Sequence, residues 1–219
     1  MANNFRRMIT LEEGLNTIQN TTNKLQNILE NFPDPHLELS LCGREERMNL
    51  YSIIYNMCTQ KPPYDYSQQL YENYKKIFED YIKSMVLPSL REKKDEILLR
   101  ELLRRWSNQK TMTIFLSKGF HYLDRYYISR QGLTSLEEIG FLSFYHLVYD
   151  EMHRQVMDAI LAMIDRKRAG EPIDETLVNK ALTFYLEIGE STGKEEPKHF
   201  AETMIKQNAA FYAMSRLQI

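Results

Sequence analysis

Apolar residues return along most of this chain in steps of three and four, the repeat of a helix that buries one face. After Thr10 that step is kept by Leu11, Leu15, Ile18, Leu25 and Leu29, and Thr10 with Glu13 has the spacing of a capping box. This helix is expected to end before Asn31-Phe32-Pro33-Asp34-Pro35, where two prolines interrupt the hydrogen-bond ladder, and a polar link is expected to follow. A second helix is expected from Arg44 to Gln60. It carries two apolar stripes, Leu50, Ile54 and Met57 on one side and Met48, Tyr51, Tyr55 and Cys58 on another, so it has two faces to satisfy. A third is expected from Ser67 to the Pro88 break, with Leu70, Tyr74, Ile77, Tyr81 and Met85 on its stripe.

The pattern continues in a fourth helix, Glu92 to Gln109, whose Trp106 reads as a core residue, and a fifth, Thr111 to Ser129. Gly119 falls inside the fifth, where glycine costs about 1 kcal/mol relative to alanine and points to a close approach of another element. Ser135 and Glu138 form a second capping box. From there Phe141, Tyr145, Val148, Met152, Val156, Ile160 and Met163 keep helical spacing to Gly170, giving a helix about 50 Å long, suited to joining modules. A seventh helix is expected from Asp174 to Ile188 with a stop at Gly189, then a polar loop, then an eighth from His199 to Leu217. No segment reads as a strand, so the expected class is all-α.

Composition narrows the function classes. With 28 basic and 30 acidic residues in 219 and a net charge of −2, sequence-independent nucleic-acid binding is disfavoured. Arg104, Arg105, Lys110, Lys118 and Arg125 are interspersed with acids rather than gathered in a stripe. No long apolar run and no signal-like start occur, so neither a membrane partner nor secretion is expected, and the chain reads as intracellular. Cys42 and Cys58 lack paired spacing and read as reduced thiols.

Chemistry-bearing motifs are scarce. No Gly-rich phosphate loop, nucleophile elbow or HExxH occurs, so neither an enzyme nor a cofactor is expected. His146, Asp150 and His153 share one helical face and support an alternative, a helical-bundle metalloprotein. Such sites need matching carboxylates on facing helices, and none is evident. More distinctive is an aromatic excess at Met48, Tyr51 and Tyr55 in the second helix and at Phe120 and Tyr122 in the fifth. These are either core or a protein-binding patch, and the pattern leaves both open.

The run LYSIIYNMCT at 50–59, followed by QKPPYDYSQQLY at 60–71, resembles the N-terminal region of the cullins, the plant type-one cullins in particular. So do RELLRRWSN at 100–108, YLDRYYI at 122–128, and EPID at 171–174 ahead of YLEIG at 185–189. The resemblance implies cullin-repeat helical bundles in an elongated stalk, with a first five-helix repeat over 10–131 and part of a second over 132–219. The third repeat and the domain that binds the RING subunit would be missing, so no RING subunit is expected. It also implies a scaffold of an SCF-type ubiquitin ligase, cytoplasmic and nuclear, that binds an Skp-type adaptor and through it F-box proteins. Without the later domains the chain would compete with full-length cullin, or be a degenerate relative that no longer binds adaptor. By position, the adaptor-binding residues would be Arg47, Met48, Tyr51, Ile54, Tyr55, Leu116, Gly119, Phe120, Tyr122 and Leu123. Arg47 stands where the family commonly has an aromatic residue and Gly119 where plant members have a bulky one, each change weakening adaptor contact by about 1 to 2 kcal/mol. An interrupted second repeat is expected to expose Phe184, Phe200 and Phe211, surfaces on which copies could pair.

Overall fold

The structure, a computed structural model, describes residues 8–32 and 35–216, with the backbone alone at 35–42, 208 and 210–216. The side chains of Cys42 and Phe211, and all of Leu217, lie outside what is described. Eight helices and no strand occur among the described residues. They are α1 (Leu11–Asn31), α2 (Pro35–Cys58), α3 (67–91), α4 (Asp95–Gly119), α5 (121–131), α6 (136–168), α7 (Glu175–Thr192) and α8 (Glu195–Arg216). No helix among them is long and apolar enough to cross a membrane.

The caps form as the sequence requires. Thr10 Oγ1 accepts from the Glu13 amide at 3.2 Å, Ser135 Oγ from that of Glu138 at 3.3 Å, and Asp174 Oδ1 from that of Leu177 at 3.0 Å. Each satisfies a helix-start N–H that has no partner within its own helix.

Several boundaries differ from the sequence pattern, each for a local reason. Helix α2 starts at Pro35 rather than Arg44, because a proline in the first turn gives up no hydrogen bond. Helix α3 runs past Pro88 to Arg91. A π turn at Ile82–Val86, closed by Leu87 N–H to the Ile82 carbonyl, widens the ladder just before the proline. The same turn rotates Met85 out to solvent while Val86 and Leu90 go in. The fourth and fifth expected helices are divided elsewhere: α4 is unbroken through Gln109 and Thr111 and ends at Gly119. Phe120 then turns the chain, and α5 follows with its own π turn, Asp124–Ile128. Gly189 lies inside α7, and the stop comes at Gly193, whose φ of +68° favours glycine. The expected polar loop shrinks accordingly, and α8 starts at Glu195, not His199.

Packing divides the chain into two compact units that interleave in sequence. The first takes residues up to Ile77 together with Lys110–Gly140, and the second takes Phe78–Gln109 and the residues from Phe141 onward. This packing division and the expected repeat boundary at 131 are different partitions.

In the first unit α1 and α2 pack through Ile18, Leu25, Leu50 and Met57, all buried. Gly119 marks a close approach of α4 to α2: a Cβ there would overlap Leu50 Cδ2 and stand 2.8 Å from its Cγ. Leu50 is fully buried, so it must shift within the core to admit a methyl group. Gly119→Ala is therefore expected to destabilise the fold by about 1 to 2 kcal/mol, overpacking outweighing the gain in helix propensity. Urea unfolding followed by circular dichroism checks this; an unchanged midpoint would show that Leu50 yields freely.

In the second unit Trp106 lies among Phe141, Phe144 and Phe184, with ring centroids 5.7, 5.2 and 5.5 Å away. Its indole N–H donates to Glu187 Oε2 at 2.6 Å. Phe184, expected to be exposed, is buried in this cluster, and Phe200 is half-buried against Tyr185 at 4.6 Å. Trp106 of α4 and Phe144 of α6 thus cover Phe184, and Phe200 of α8 lies against Tyr185 of α7.

Candidate protein-interaction face

Both stripes of α2 are present and differ in burial. Leu50, Ile54 and Met57 are fully buried, whereas Met48 is 58% exposed and Tyr51 and Tyr55 are half-buried. Tyr51 and Tyr55, one turn apart, lie stacked with centroids at 6.3 Å and planes 17° apart. Because α4 stops at Gly119 and the chain turns at Phe120, α5 brings Tyr122 edge-on against Tyr55 at 5.0 Å. Tyr126, four residues on and 38% exposed, lies 4.6 Å from Tyr122. The result is a row of four tyrosines, Tyr51, Tyr55, Tyr122 and Tyr126, with Met48 at one end.

Burial pushes the Tyr122 phenol above its usual range, and the neighbouring Cys58, Tyr55 and Tyr126 add to this against an opposing pull from Arg130. Tyr122 is therefore neutral near pH 7, and the row is an aromatic surface edged with hydroxyl groups. Burial also pushes the Cys58 thiol up, to about 11, against a hydrogen bond from Ser67. That thiol is protonated and a weak nucleophile.

Of the residues expected to meet a partner, Ile54, Leu116, Gly119, Phe120 and Leu123 do not reach the surface. All five are buried within the unit, with Phe120 packed on Tyr74 at 5.0 Å. They belong to the core of this unit. The two-stripe reading thus holds for α2, while in α5 the residues that reach the surface are the half-buried Tyr122 and the exposed Tyr126, and Phe120 is buried. Tyr126 carried one available signal, its spacing of four from Tyr122, and was missed because the break at Gly119 was missed. Arg47 is half-buried, with its guanidinium carbon 6.0 Å from the Phe115 ring centre.

The histidine set of α6 lies elsewhere. His146 Nδ1 is 3.3 Å from Asp150 Oδ2, and both side chains are at least half exposed. His153 Nδ1 is 3.3 Å from the backbone carbonyl of Asp150, and its ring stacks on Tyr149. No group of three His, Cys, Asp or Glu among the described residues is placed to hold a metal ion, so the geometry gives the metalloprotein alternative no support.

The protein thus carries a partly exposed aromatic face on two adjacent helices, made of residue types enriched where proteins bind one another. The cullin alpha solenoid domain matches residues 17–218, and the chain belongs to the cullin family. Cullin-1 of Oryza sativa subsp. japonica is 49% identical over 95% of this chain but only 27% of its own length. The putative cullin-like protein 1 of Arabidopsis thaliana is 40% identical over 95% of this chain and 28% of its own length. Cullin-like protein 3 of the same plant is 36% identical over 94% of this chain and 77% of its own length. The chain thus spans about a quarter of the two longer relatives.

Proposed function

We propose that this chain is a non-enzymatic scaffold element of an SCF-type cullin-RING ubiquitin ligase, and that the face built by α2 and α5 binds an Skp-type adaptor and, through it, F-box proteins. The observation that carries this reading is the partly exposed row Met48, Tyr51, Tyr55, Tyr122 and Tyr126, laid over a buried core. Aromatic residues and methionine are the types enriched where proteins bind one another. Membership of the cullin family supports an adaptor protein as the partner. The same reading takes 10–131 as a first repeat and 132–219 as part of a second, and places the protein in cytoplasm and nucleus. It also makes the chain a competitor of full-length cullin for adaptor.

Competition tests it. Purified chain added in excess to a preformed complex of adaptor and full-length cullin is expected to release the cullin, followed by size-exclusion chromatography. A complex that persists unchanged at saturating chain would reject the competitor role.

A further inference from the structure

Charges around the tyrosine row are segregated. On α2 the two acids nearest Met48 are turned toward α1: Glu46 pairs with Lys24 at 2.7 Å, and Glu45 adds to the field that holds the Lys24 ammonium above its usual range. On α5 Asp124 is occupied in accepting the Leu136 amide at 3.3 Å. The basic groups are left over. Among the described residues none of Arg44, Arg47, Arg125 and Arg130 has a carboxylate in ion-pair range.

Arg47 differs from the other three. Arg44, Arg125 and Arg130 are exposed, so any pair they form is screened by salt and worth little. The Arg47 side chain is half-buried, and its guanidinium rests against the buried Phe115 ring beside the most exposed residue of the face, Met48. Resting on the ring limits its freedom, so less is lost when a partner fixes it. A surface that covers Met48 would also take Arg47 out of water, and an uncompensated charge there would oppose binding.

We propose that Arg47 is a specificity-determining residue of this face, forming an ion pair with a carboxylate on the protein surface that covers Met48 and Tyr51. The proposal rests on the adaptor-binding reading above and adds to it the chemistry of the partner residue. An adaptor with an apolar or basic group at that point is rejected, and one with Asp or Glu is selected.

The test is a calorimetric titration of the full chain with purified Skp-type adaptor at low and high salt, using wild type, Arg47→Met, Arg47→Glu and Tyr51→Ala, each first checked for native circular dichroism. Arg47→Met keeps an aliphatic cover on Phe115 and is expected to bind about tenfold more weakly, with a flatter salt dependence. Arg47→Glu is expected to lose about a hundredfold, recovered in part when one Asp or Glu of the adaptor's contact face is changed to Lys. Arg47→Met binding like wild type with an unchanged salt slope, while Tyr51→Ala still weakens binding, would overturn the ion pair and leave the face standing. Absence of wild-type binding, or Tyr51→Ala and Arg47→Met both indistinguishable from wild type, would overturn the face and the ion pair together.

Discussion

Replacing Trp106 with alanine is expected to lower stability by about 4 kcal/mol, the upper part of the range for large-to-small changes in a core. The indole is nearly fully buried and touches three phenylalanines from two other helices, and its N–H donates to Glu187. Alanine removes both the packing and the hydrogen bond, and leaves a cavity lined by rings that cannot all move inward. Trp106→Phe keeps most of the apolar volume but not the donor, and is expected to lose about half as much. Urea unfolding followed by circular dichroism at 222 nm separates the three proteins. Since Trp106 is the only tryptophan, its fluorescence in the wild type reports specifically on the second unit. A loss below about 1 kcal/mol for Trp106→Ala would mean that the aromatic cluster collapses around the gap.

The second large effect is expected at Glu101. Its carboxylate takes hydrogen bonds from Arg104 and Arg105, each at 2.8 Å, and the Arg105 side chain is only 5% exposed. Arg105 also donates to Ser89 Oγ at 3.0 Å. Burial alone would raise the Glu101 carboxyl, but the two guanidinium groups more than offset it and hold it at about 2. Glu101→Ala leaves the buried Arg105 charge without this counter-ion, and is expected to cost about 3 kcal/mol. The sign of the pH dependence follows from the depressed value. Unfolded, the carboxyl titrates near its ordinary pKa of about 4.3, so the unfolded chain takes up a proton first as pH falls. The stabilisation is complete above that value and is lost as pH drops toward about 2. Wild-type unfolding free energy should therefore fall more steeply between about pH 5 and pH 2 than that of Glu101→Gln, with parallel curves near neutrality. Curves that stay parallel to pH 2 would show that the arginines do not hold this carboxylate.

Much of the fold was legible from periodicity, and the misses cluster where backbone chemistry overrides a simple stop signal. Pro88 and Gly189 read as helix ends, yet a π turn absorbs the first and the second lies against α8, where a Cβ would stand 2.5 Å from Lys198 Cγ. The row from Gln109 to Thr111 contains neither Gly nor Pro, so the division placed there had no physical punctuation behind it. Gly119, read as interior, is the true end of α4. That shift decides the candidate face. With α4 ending at Gly119, Phe120 and Leu123 go to the core, while Tyr122 is left half-buried and Tyr126 exposed. On α2, where the boundary error lies a turn before the stripes begin, the assignment of one stripe to the core and one to the surface holds. A period of 3.6 tells which residues share a face. Which of two apolar faces is covered depends on neighbours that one helix's sequence does not name, as Leu116 and Ile54 show.

Binding of an Skp-type adaptor by the tyrosine row on α2 and α5 is tested most simply by calorimetric titration of purified adaptor into the chain. Saturable one-to-one binding at micromolar concentrations or tighter is expected, weakened by about 2 kcal/mol, or thirtyfold, in natively folded Tyr51→Ala. No heat of binding at micromolar concentrations, or a Tyr51→Ala isotherm that overlays the wild type, would contradict it.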